Sequence, residues 1–268
     1  MHFQFGSRAK TVAIAAITGS MALAAGAARG PVFLRMKFKA GENLKYAFTM
    51  QLTTVVGAHG GERTIPARMA MEIATHVTKV LPDGNAQAIE SVNGMKYMVN
   101  GNVLPAPATP SFTMVFSPLG HILSMKATGG TAQERAMAGQ FSSSMQNATV
   151  YLPKHAVSPG QTWVTTGKLP PVSGGGIYTV HSRLVKTEHV GGFTTVLIHS
   201  VMTAPISVAQ ADGGTGELHM TSDSDFSPAA GKLIRMSGSG DMSMTLSNGP
   251  NGPMNMKVHM VLAMRLLQ

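Results

Sequence analysis

The sequence predicts a mainly β protein: one or more antiparallel curved sheets, or an open barrel, built from two tandem β repeats and one connecting helix. Three observations lead there. Apolar and polar residues alternate with period two along most long segments, the pattern of strands with one buried face. Clusters of Gly, Pro, Asp and Asn separate these segments at hairpin spacing. Several phrases return after an interval of about 108–110 residues, as a duplicated unit would make them.

In chain order, Arg8 and Lys10 precede the apolar stretch "TVAIAAITGSMALAAGA", which ends in the small-x-small pattern Ala25-Gly26-Ala27. That is the plan of a secretory signal peptide. Residues 1–27 are therefore expected to be a signal peptide, and the protein to be exported to a periplasm or the extracellular space. A retained membrane anchor is the competing reading. The stretch is about 17 residues, short of the roughly 20 that a spanning helix needs, and no later run is long enough.

The first β repeat is expected over 28–130. In "VFLRMKFK", Val32, Leu34, Met36 and Phe38 share one face and Arg35, Lys37 and Lys39 the other, which predicts a strand. After the turn "GEN", Leu44, Tyr46, Phe48, Met50 and Leu52 resume the alternation. Pro82-Asp83-Gly84-Asn85 then divides "MEIATHVTKVL" from "AQAIESV", a hairpin signal. The bend "FSPLGHILSM" at 116–125 follows.

A helix is expected over 131–149, connecting the repeats. Thr131 and Glu134 form a capping box, and Met137, Phe141 and Met145 line one face. The second repeat, 150–268, carries a Gly191-Gly192 hairpin over 178–201 that matches the one over 71–92. Ser200-Val201 likewise matches Ser91-Val92. The bend "FSPAAGKLIRM" at 226–236 repeats the first bend, and "MNMKVHMVLAMRL" closes the chain with its clearest alternation.

The segment "PKHAVSPGQTW" at 153–163, with Pro, Val and Gly-x-x-Trp before a β unit, resembles uncharacterised exported bacterial β-proteins. Their opening strand resembles "FKAGENLKYAFTMQLT". The resemblance implies a β fold and export but no established activity. A looser similarity is to lipoprotein-carrier half-barrels, whose curved sheet shelters acyl chains.

Composition narrows the chemistry. The chain has 268 residues and no cysteine, which excludes thiol catalysis, zinc-thiolate sites and disulfides. No Gly-x-Ser-x-Gly elbow, phosphate-binding Walker loop or His-Glu-x-x-His is present, so no catalytic residue, cofactor or enzymatic activity is expected. The formal charge is +9, but charged residues make up only 12% and are scattered singly. Nucleic acid is therefore not expected as a partner, and an acidic envelope component fits better.

Methionine is over-represented, with 21 residues against ten Phe and one Trp. Flexible thioethers suit an irregular core or a lining for variable apolar ligands. The expected ligand-lining residues are Met242, Met244, Met254, Met256 and Met260, with lipid or another apolar molecule as ligand. A structural role in the envelope without a small ligand is an alternative. Copper(I) is another, because Met69/Met71, Met242/Met244 and Met254/Met256 each put two soft donors on one strand face, and His259 and Met260 follow the last pair. Asp223 and Asp225, two apart, point the same way and are expected to form a solvated acidic patch rather than a cation site.

Overall fold

The computed structural model describes residues 30–58, 61–105, 111–128, 151–169, 176–208, 214–249 and 252–267. The expected signal peptide and connecting helix lie outside them. The described residues form twelve strands and no helix, and so no helix long and apolar enough to cross a membrane. The strands are β1 (Asn43–Ala58), β2 (Gly61–Val80), β3 (Ala86–Val99), β4 (Asn102–Leu104), β5 (Ser111–Phe116) and β6 (Ile122–Thr128), then β7 (Thr162–Lys168), β8 (Ile177–Val190), β9 (Phe193–Val208), β10 (Gly214–Ser227), β11 (Lys232–Gly249) and β12 (Gly252–Leu267).

All twelve belong to one antiparallel, curved, unclosed sheet. Its order is β6-β5-β3-β2-β1-β12-β11-β10-β9-β8-β7, with β4 beside the far part of β3. The first six strands run outward from the centre to one edge, and the last six return from the other edge to the centre. The seam is the long pairing of β1 with β12, from Lys45 opposite Leu267 to Gly57 opposite Asn255.

Two irregularities of each half fall at like places, although the shift between Ala70 and Glu72 has no counterpart between β8 and β9. β2 and β3 slip register between Val77 and Lys79, and β8 and β9 between Leu184 and Lys186. The first bend has a shift at Val115/Phe116 and the second at Asp225/Phe226. Counting from the bulges, Thr75 opposite Glu90 corresponds to Ser182 opposite Ser200.

Period-two alternation sorts the sheet into an inner apolar face and an outer polar one. On β12, Met254, Met256, Val258, Met260, Leu262, Met264 and Leu266 turn inward, while Asn255, Lys257, His259 and Arg265 are exposed outside. Glycines at inner positions let neighbouring strands close up. A Cβ at Gly216 would lie 2.1 Å from the Ser243 carbonyl oxygen, and one at Gly240 would lie 2.9 Å from that of His219. Larger residues there would push β10 and β11 apart, so these glycines favour the curl toward the inner face.

The segment 32–38 departs from the expected strand. Its alternation survives in burial, with Leu34 at 0% exposure and Phe33 at 65%. Its backbone, however, joins the sheet through no ladder. Val32 bridges Val157, Met36 N–H donates to the Pro118 carbonyl at 2.7 Å, and Lys37 N–H donates to the Gly231 carbonyl at 3.0 Å. The segment therefore ties the two bends together. Gly231 suits its place twice over, with φ of +66° and a would-be Cβ 2.5 Å from the Lys37 nitrogen.

This crossing seals one end of the curl. Leu34, Leu152 and Val157 from the leading segments pack with Trp163, Leu184, Val196, Ile198 and Phe226 of the sheet, all buried. Trp163 Nε1 donates to the Tyr151 carbonyl at 3.0 Å, so its one polar group is satisfied within that core.

Candidate functional site

Away from the sealed end, the inner face is less covered. Met242, Met254, Met256 and Met260 are half-buried, and Met244 is buried. All five predicted lining residues share this face on the adjacent strands β11 and β12. Met244 stands directly opposite Met256, Met242 opposite Val258, and Met254 opposite Leu246. Across the seam, Met260 faces Leu52 and Met256 faces Val56. His259, whose neighbour Met260 points inward, projects to the outer face, where Nδ1 lies 2.8 Å from Asp241. It cannot join the sulfurs. The pair Met69/Met71 is separate too, on β2, opposite Met50 and Phe48 of β1.

One inner position breaks the apolar pattern. Counting by two along β3 passes Ala86, Ala88, Glu90 and Val92, all turned inward and buried. Glu90 is 6% exposed. Its Oε2 accepts a hydrogen bond from Thr75 Oγ1 at 3.3 Å, while Oε1 is buried with no partner. Burial pushes its carboxyl from the ordinary 4.5 up to about 7, with the Thr75 hydrogen bond opposing. The signal was present in the sequence, as a glutamate in register with alanines and valine.

The outer face carries a cleft of about 610 Å³ near the second bend. Its floor holds the small residues Ala47, Thr49, Ser237 and Ala263, and its sides carry Lys186, Glu188, Asp223, Asp225, Arg235 and Arg265. The expected solvated acidic patch is only half present. Asp223 is exposed and lies 2.8 Å from His199 Nδ1, whereas Asp225 is 2% exposed and bonded to Arg235 Nε. Asp225 stands directly opposite Arg235 on β11, beside the bulge at which β11 carries Ile234 as an extra residue.

Glu188 receives Lys186 Nζ at 2.7 Å and Arg235 at 3.7 Å. Its hydrogen bond to Lys186 holds its carboxyl below the usual range. Asp225 is raised, by burial first and by the neighbouring Glu188 carboxyl second.

No family model and no curated protein matches the chain. Among solved structures it is similar to DynF from the dynemicin biosynthesis pathway of Micromonospora chersina, at 10% identity over 96% of this chain and 92% of that one, with a TM-score of 0.24.

Proposed function

We propose that this is an exported, non-enzymatic β-protein of the cell envelope that shelters the acyl chain of a lipid along its inner face. The observation behind this reading is the contrast along that face. One end is a packed core, while Met242, Met254, Met256 and Met260 of β11 and β12 stay half-buried although they point inward. From Met254 to Leu262 the inner row extends roughly 26 Å at 3.3 Å per residue. A single acyl chain, spanning about half of a bilayer's ~30 Å hydrocarbon core, fits that length. Unbranched thioether side chains can adapt to chains of different shape without fixed polar contacts.

Organic extraction of protein purified from its own envelope, followed by mass spectrometry, tests the reading. Acyl-bearing molecules should accompany the wild type and be lost from Met256→Glu. An empty wild type that also fails to take up added palmitate would sink it and favour a purely structural envelope role.

A second reading has its own support. Met244 stands directly opposite Met256, which puts two thioethers side by side across two strands, with Met242 and Met254 next along on either side. One strand alone could not do this, and cuprous ion favours such donors. Titration with cuprous ion should then load one equivalent in the wild type and none in Met244→Leu/Met256→Leu.

We also read the two halves as copies of one ancestral unit, supported by the matching bulges and bends. If Thr75–Glu90 and Ser182–Ser200 are equivalent pairs, Glu90→Ser should fold and be no less stable at pH 8 than the wild type.

A further inference from the structure

Three cations and three acids line the outer cleft, but they are not paired one to one. Asp225 and Glu188 take Arg235 and Lys186, and Asp223 lies 2.8 Å from the His199 ring. Arg265 also lines the cleft, yet no carboxylate or carbonyl accepts from it among the described residues. It stands directly opposite Arg235 on the neighbouring strand. Two guanidinium groups across a ladder repel one another unless an anion lies between or beside them.

The register supplies the rest of a cradle. One pair along from Arg235 and Arg265, β11 offers Ser237 and β1 offers Thr49, each opposite the same small residue, Ala263 of β12. Two strand spacings, roughly 10 Å, separate these hydroxyl-bearing positions. The Ala263 methyl leaves the space between them open, and neither hydroxyl is engaged by another side chain among the described residues. A guanidinium fork with flanking hydroxyl donors is the donor set that phosphate and carboxylate groups take.

We propose that this cleft binds an oxyanion, the phosphate or carboxylate group of a small molecule or acidic polymer, through Arg265, Ser237 and Thr49. The site lies on the opposite face from the methionine trough and stands independently of the lipid reading. Arg235, already committed to Asp225 and Glu188, positions the cleft wall and contributes field.

Nitrogen-15 chemical-shift titration of the purified protein, with inorganic phosphate in one arm and acetate in the other, tests this. The amides of Thr49, Ser237 and Ala263 should shift saturably at millimolar anion. Response to phosphate alone, to acetate alone or to both supports the site and identifies the group it takes. Arg265→Gln should weaken binding about tenfold, while Lys257→Gln, on the same face outside the cleft, should leave it unchanged. Ser237→Ala gives a milder second variant, expected to weaken binding about threefold. Silence of those amides toward both anions overturns the proposal. So does equal weakening by Lys257→Gln, which would reduce the effect to net charge.

Discussion

Replacing Glu90 by glutamine should flatten the dependence of stability on pH between 4 and 8. In the folded protein the carboxyl keeps its proton up to about pH 7, whereas the unfolded chain releases it near 4.5. Between those values the native state binds the extra proton, so stability falls as pH rises. The contribution is fully present below 4.5 and gone above 7. Each pH unit between the two values is worth about 1.4 kcal/mol, so the wild type should lose roughly 3 kcal/mol over that window. A fall of that size is large against a typical folding stability of about 5–15 kcal/mol.

Glutamine cannot ionise and still offers Thr75 an oxygen, so the variant should lack this loss. Its new amide N–H groups lack an identified acceptor, which costs about 1–3 kcal/mol at every pH and offsets the gain at pH 8. The slope is therefore the diagnostic, not the absolute stability. Urea unfolding at half-unit pH steps, with the wild-type curve subtracted, cancels every carboxylate common to both proteins. Parallel curves from pH 5 to 8 would refute the reasoning and mean that Glu90 is solvated or paired.

Leu34→Ala should cost about 2–5 kcal/mol by denaturant melt, since Leu34 is fully buried where the crossing segment meets the sheet. Met256→Ala should cost less, about 1 kcal/mol, because truncation beside an open trough leaves little new void, and Met256→Leu should be near neutral. Gly231→Ala should destabilise by about 1–3 kcal/mol through positive φ and collision with Lys37, readable as a lowered melting temperature. N-terminal sequencing of envelope-localised protein should begin near residue 28, and a start at Met1 would remove the export reading.

What the sequence made legible was local. A strand's two faces follow from alternation, and hairpins follow from turn residues a few positions long. Both were readable in "MNMKVHMVLAMRL" and around Gly191-Gly192. Strand neighbours are not local: nothing in β1 or β12 alone says that Lys45 will face Leu267 across 222 positions of chain. The segment 32–38 misled for a related reason. Its pattern is that of a strand, but alternation reports which side chains are buried and not where the backbone donors go. Here they go to Pro118 and Gly231.

The same limit separates the two candidate sites. The methionine face was legible because five residues obey one periodicity on two adjacent strands. The cleft was not, because it depends on registers that put Asp225 opposite Arg235 and Arg235 opposite Arg265. A one-residue slip between β11 and β12 would part the guanidinium groups and also turn one strand's methionines outward. Hydrophobic burial of the inner face therefore fixes the register, and the register composes the charges of the outer face. Engineering can use that coupling. Substitutions on the outer face that keep β propensity should alter the cleft without moving the trough, whereas inner-face charges such as Met256→Glu should disturb both, visible as shifted amides at Ser237 and Ala263 as well as lost acyl binding.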